Sequence, residues 1–167
     1  MARRNILTKE QPGLYKKCRP VTEFNSRLHQ LLDDMAETLS TQNGVGLAAP
    51  QVGVLRQAVI VLETNVPEGE EEYIIELVNP QIIESDGEQY GAEGCLSVPG
   101  EYGLVRRPMH VKVRAQDRNG NFFEVEGEGL TARCFCHEID HLAGIIFTSK
   151  CERMLSEEEL ESGKFSD

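Results

Sequence analysis

No run of apolar residues in this 167-residue chain is long enough to cross a bilayer, and no apolar core follows the basic start Met1-Ala2-Arg3-Arg4-Asn5. A membrane span and a secretory signal are therefore not expected. The expected location is the cytoplasm, or an organelle for a chain whose targeting segment is absent. Basic residues are also scarce. Seventeen Lys and Arg stand against 28 Asp and Glu, a formal net charge of -11, which leaves little to clamp nucleic-acid phosphates. The acidic balance reads as solvated surface. An even set of cysteines is missing too: Cys18, Cys95, Cys134, Cys136 and Cys151 fall at no repeated spacing. That excludes a disulfide framework and makes the thiols core residues, ligands or nucleophiles of a reducing compartment. Linkers and internal repeats are lacking as well, so residues 1–167 read as one catalytic domain, large enough to bury its own core.

The patterning that is present alternates between two periods. Phe24, Leu28, Leu31, Leu32, Met35 and Leu39 recur at helical spacing and predict an amphipathic helix with its stripe on the core. The segment from Thr41 to Gly46 is expected to stop it, with Asn43 or a glycine in the left-handed conformation. Arg56 to Leu62 and Tyr73 to Val78 read as strands on their Val and Ile content. The acidic run Glu68 to Glu72 separates them as a solvated loop, and Asn79-Pro80 is expected to close the second. Val111, Val113 and Ala115, then Phe123 and Val125, alternate with polar residues across Asp117 to Asn121, which predicts a hairpin. Near the end, Ser156-Glu157-Glu158-Glu159 has the form of a capping box opening a short helix.

Between hairpin and capping box lies the segment richest in chemistry. Leu130, Cys134, His137 and His141 are four, three and four residues apart and share one helical face, with Gly144 as the stop. In His137-Glu138-Ile139-Asp140-His141 the two imidazoles can aim at a single metal, with Glu138 beside the coordination sphere. Two histidines so spaced also occur on exposed helices with no metal, and the pattern serves zinc endopeptidases, so a third ligand decides its meaning. Asp140 leaves the histidine face. Cys95 is the better candidate, in Glu93-Gly94-Cys95-Leu96-Ser97-Val98-Pro99-Gly100, although a cysteine flanked by glycine can equally be an inert buried thiol. A thiolate with two imidazoles suits a borderline-soft divalent ion. A structural zinc module built on Cys95, Cys134, Cys136 and His137 is a rival, but it leaves Gln51 and Glu138 without a role.

A third segment, Gly44-Val45-Gly46-Leu47-Ala48-Ala49-Pro50-Gln51, completes a set. Peptide deformylases carry, in this order, motifs of the form GxGLAAxQ, EGCxS and HExDH, and this sequence resembles them at Gly44 to Gln51, Glu93 to Ser97 and His137 to His141. The resemblance extends to Arg107-Pro108 and to Gly144-Ile145-Ile146-Phe147. It implies an α+β fold in which antiparallel sheets surround a central metal-binding helix, with the first helix packed outside. It implies an enzyme that takes the N-formyl group from the formyl-methionine of new polypeptides and releases formate. Cys95, His137 and His141 would bind one divalent ion, natively Fe2+ and replaceable by Zn2+, Ni2+ or Co2+, with a fourth position open to water. Glu138 would be the general base and acid, and the Gln51 amide and the Leu96 backbone N–H the oxyanion donors. The peptide would pair with edges near Val45, Gly46 and Gly94, and Val45, Leu130 and Cys134 would wall the methionine pocket.

Two positions depart from the family pattern: Cys136, where Gln is usual, and Tyr102, where a basic residue is frequent. Some relatives extend a basic helix that docks on the ribosome. The segment 156–167 is short and acidic, so that route is not expected here, which leaves transient proximity to the ribosome and nascent peptides as partners.

Overall fold

The computed structural model describes residues 2–162; the end of the acidic terminal segment, 163–167, lies outside the described residues. Five strands form one antiparallel sheet: β1 (Gly46–Ala48), β2 (Ala58–Glu63), β3 (Tyr73–Asp86), β6 (His110–Gln116) and β7 (Phe122–Glu128), in that spatial order. The remaining strands, β4 (Gln89–Cys95), β5 (Val98–Arg107) and β8 (Arg153–Met154), form a second antiparallel sheet in the order β4-β5-β8. Both β1 and β4 are edge strands.

Strand β2 shows why the larger sheet is covered twice. Its side chains alternate between faces, and Ala58, Val59, Ile60 and Val61 are all buried. Val59 and Val61 join Val111, Val113 and Phe135 against helix α2 (Leu130–Leu142), while Ala58 and Ile60 join Leu28, Leu32 and Met35 of helix α1 (Ser26–Ser40). A third cluster, Leu14, Val98, Val105, Ile146 and Phe147, seats the smaller sheet. Helix α2 contacts both sheets, at β1, β2, β6 and β7 and at β5. The expected arrangement of sheets around a central helix, with the first helix outside, is what is observed.

Several local expectations need correction. Phe24 precedes α1, whose N-cap is Asn25; the Asn25 side chain accepts from the Leu28 backbone N–H. The helix does not end on a left-handed residue. Thr41 closes it in the right-handed region, its hydroxyl donating to the Thr38 carbonyl, and Asn43, Gly44 and Gly46 keep ordinary backbone angles. Strand β2 begins at Ala58, not Arg56, which instead bridges Arg19.

Asn79-Pro80 does not close β3, which continues to Asp86 through a shift of register against β6. Proline removes a ladder donor, and here the irregularity absorbs it. Asn79 stands at φ 50, the only non-glycine residue with positive φ among those described. Its side chain accepts from Val21 N and donates to Val21 O and to Gln116, so three hydrogen bonds offset an unfavourable conformation. The remaining patterns agree with the structure. The β6–β7 hairpin pairs Val113 with Val125, Gly144 follows α2 at φ 77, and Ser156 and Glu159 cap helix α3 (Glu157–Ser162) reciprocally.

Candidate metal centre and active site

Cys95, His137 and His141 come together although they lie on two elements. Cys95 is the last residue of β4, before the tight turn Leu96-Ser97 into β5, and the two imidazoles project from α2 one turn apart. One ligand atom from each lies within 4.8 Å of the others, and Cys95 Sγ is 3.4 Å from His141 Nε2. His141 is fully buried, and its Nδ1 has no hydrogen-bond partner among the described residues.

The donor set fits a divalent cation. Burial disfavours the charged form of His137, yet the Glu138 carboxylate, Cys95 and Glu93 outweigh that and raise its affinity for a proton. The pocket thus favours positive charge. At His141, burial and the neighbouring His137 act together and hold the imidazole well below its ordinary basicity. Neutral imidazole is the form that ligates.

Behind His137 lies a buried ionic network. Glu93 Oε2 is 2.7 Å from His137 Nδ1, which leaves Nε2 turned to the thiol side. Arg107 holds Glu93 with two bonds, 3.1 and 2.6 Å, and reaches Asp140 at 2.8 Å. Arg133 adds a bond of 3.0 Å to Glu93 Oε1. Desolvation penalises the Glu93 carboxylate, but His137 and Arg107 more than compensate and hold it at about 2. Asp140, bound to Arg107 and Lys150, takes no part in the ligand cluster.

A cavity of about 410 Å³ opens on the centre and is lined by every residue given a ligand, catalytic or substrate-contact role from the sequence except the fully buried His141. Val45, Gly46 and Gln51 come from β1 and the residues flanking it, Gly94 and Leu96 from the end of β4 and its turn, and Leu130, Cys134, His137 and Glu138 from α2. Leu130 is 50% exposed at the rim and is not core. Arg133 and Tyr102 also line the cavity. Glu138 is buried, its Oε2 4.0 Å from His137 Nε2, and its Oε1 has no partner among the described residues. Burial pushes its carboxyl up to about 7 against the pull of His137.

Two glycines are demanded by close approach. A Cβ on Gly46 would come within 2.7 Å of both Cys134 Sγ and Glu138 Oε2, and one on Gly94 would collide with the Tyr102 ring across the β4–β5 pair. Gln51 is buried in the 3-10 turn Ala49–Val52. Its Oε1 accepts from Ala48 N at 2.9 Å, and its Nε2 faces Ser97 Oγ at 3.0 Å and Cys95 Sγ at 3.5 Å.

The family model for polypeptide deformylase matches residues 3–157. The chain belongs to that family. A peptide deformylase of Caldanaerobacter subterraneus subsp. tengcongensis is 52% identical over 164 residues, covering 98% of this chain and 99% of the relative. A crystal structure of the peptide deformylase of Legionella pneumophila superposes with a TM-score of 0.81 at 42% identity, covering 96% of this chain and 90% of that one. A structure of the class I type b enzyme of Acinetobacter baumannii bound to Met-Ala-Ser superposes at 0.82 with 35% identity, covering 89% and 98%. Deformylases are metal-dependent hydrolases that remove the formyl group from the N-terminal methionine of new polypeptides, and the Cys/His cluster is the candidate metal site for that activity. Among the described residues no helix is long and apolar enough to cross a membrane.

Sequence reasoning left three contributors to this deformylase site without a role. Glu93 and Arg107 lie within recognised motifs but carry no visible chemistry in one dimension. Arg133 looks like a surface cation on a helix. A cue was available: Arg133 precedes His137 by four residues, on the same face.

Proposed function

We propose that Cys95, His137 and His141 hold the deformylase metal, that Glu138 transfers the protons, and that Gln51 and Leu96 stabilise the charge formed on the formyl oxygen. The observation that carries this reading is the buried Glu138 carboxylate, which lines the cavity beside the ligand cluster with one oxygen unpartnered among the described residues. Ferrous iron is the proposed native ion, with Zn2+, Ni2+ and Co2+ as substitutes; one thiolate and two imidazoles suit all four. When bound, the cation supplies Lewis acidity to water and to the formyl oxygen.

The chain's own residues do the rest. Glu138 takes a proton from the attacking water as the new C–O bond forms at the formyl carbon. It then gives that proton to the amine nitrogen as the C–N bond breaks, leaving formate and a free N-terminus. One N–H of Gln51 and the Leu96 backbone N–H face the oxygen as it becomes negative. The edges β1 and β4, with Val45, Gly46 and Gly94, pair with the peptide backbone. Val45, Leu130 and Cys134 enclose the methionine side chain. Met-Ala-Ser bound to the Acinetobacter relative is a three-residue peptide that begins with methionine, as this reading requires. Residues 1–167 act as one catalytic unit in the cytoplasm, where new chains are made.

The test is formate release from formyl-Met-Ala-Ser by anaerobically purified protein, beside Glu138→Ala, with metal measured in both. Wild type should release formate, and the variant should keep its metal and lose at least about 10²-fold in kcat. Metal-loaded wild type that releases none would overturn the assignment, and an active variant would remove Glu138 from the mechanism.

A further inference from the structure

The Gln51 amide is held at every polar atom, and its partners come from two separate stretches of chain, Ala48 beside it and Cys95 and Ser97 at the β4–β5 turn. Ala48 N–H fixes Oε1 at 2.9 Å. The amide nitrogen has two hydrogens to give. Ser97 Oγ, fully buried, takes one at 3.0 Å, and the second is thereby aimed at Cys95 Sγ, 3.5 Å away, on the floor of the cavity. Ser97 belongs to the β4–β5 turn and Gln51 to the segment after β1, so this hydrogen bond joins the two sheets beside the ligands.

The N-terminal segment crosses the same junction. Leu7 N donates to the Gln51 carbonyl at 2.7 Å, and Lys9 N donates to the Ser97 carbonyl at 3.0 Å. Two amides two residues apart on this N-terminal strap therefore bind the main chains of both partners. The strap is anchored at both ends. Ala2 N and Arg4 bond Asp34, Arg4 N bonds Thr38 Oγ1, and the Tyr15 hydroxyl donates to Lys9 O.

We infer that Ser97 is a positioning residue for Gln51, spending one amide hydrogen so that the other stays turned to the ligand cluster at Cys95, where the formyl oxygen is to be met, with the Leu7–Lys9 strap holding the pair in register. The inference rests on the reading of Gln51 as an oxyanion donor. A buried hydroxyl that served packing alone would lower activity whatever stood at position 51. One that works through Gln51 would matter only while the amide is present.

The experiment is a double-mutant cycle on the metal-loaded enzyme with formyl-Met-Ala-Ser, comparing wild type, Ser97→Ala, Gln51→Ala and the double variant, with metal content and kcat and KM measured separately. Ser97→Ala should lower kcat about tenfold with KM and metal content unchanged, and should lower it no further in the Gln51→Ala background. Equal losses in both backgrounds, or no loss in wild type, would overturn the inference. Full activity in Gln51→Ala would instead overturn the oxyanion reading beneath it. Should Ser97→Ala fail to fold, Lys9→Pro, which deletes the N–H given to the Ser97 carbonyl, is read through the same cycle with the same two outcomes.

Discussion

Glu93 Oε2 lies 2.7 Å from His137 Nδ1, and this contact fixes which imidazole nitrogen faces the thiol of Cys95. Outer partners of this kind commonly change metal affinity by about 10–100-fold. Glu93→Gln should therefore weaken metal binding by about that factor, measured by competition with a chromogenic chelator. The same group gives a pH dependence. Its folded-state carboxyl sits at about 2 against an ordinary 4.5, so its stabilisation is complete above about pH 4.5 and is lost as pH falls toward 2. That stabilisation is on the order of 3 kcal/mol. Urea unfolding of metal-free wild type should lose stability through that window, and Glu93→Gln should flatten the loss; an unchanged slope would count against it.

Gly46→Ala should leave a folded protein with a damaged site. The added methyl would fall 2.7 Å from Glu138 Oε2 and Cys134 Sγ, so the carboxylate must move. A displaced catalytic group commonly costs about 10²-fold in rate, whereas overpacking costs about 1–3 kcal/mol of stability. Parallel kcat/KM and thermal-melt measurements separate the two, and a variant with near-normal kcat/KM would show that Glu138 tolerates the shift.

Asn79→Ala tests the irregularity in β3. It removes three side-chain hydrogen bonds and leaves alanine at φ 50. Together these should cost on the order of 2–4 kcal/mol in chemical denaturation. Since Asn79 does not line the cavity, kcat at low temperature should stay within about twofold.

Tyr102 covers Gly94 from the neighbouring strand and is 42% exposed at the cavity rim. Tyr102→Ala should raise KM for formyl-Met-Ala-Ser more than for a formyl-Met amide, because on the proposed pairing only the longer substrate reaches along β4. Equal changes for both would place the ring's influence on the chemistry instead.

The elements visible in the sequence are those whose period matches their burial. The α2 histidines, the β6–β7 hairpin and the Ser156 cap are all local patterns, each read over a single turn or hairpin. The β4–β5 pair escaped because Gly94, Pro99 and Gly100 look like loop residues, and only pairing with a partner strand makes them sheet. Asn79-Pro80 misled for the opposite reason: a strong turn signal is overridden by tertiary hydrogen bonds to Val21 and Gln116. The candidate metal ligands were legible as motif residues, but the charges packed behind them were not. Burial of Glu93, Arg107 and Arg133 together is a property of the folded chain, and residue by residue they are indistinguishable from surface ions.

Strands β1 and β4 leave two main-chain edges at one cavity, each belonging to a different sheet. Backbone N–H and C=O groups are the same in every polypeptide, so a groove that grips its guest by them carries almost no information about what the guest encodes. Discrimination is then left mainly to the chain end and its first side chain. On the proposed pairing, a single small enzyme can serve as a common gate for many unrelated products, with little beyond the rim at Tyr102 to favour some over others.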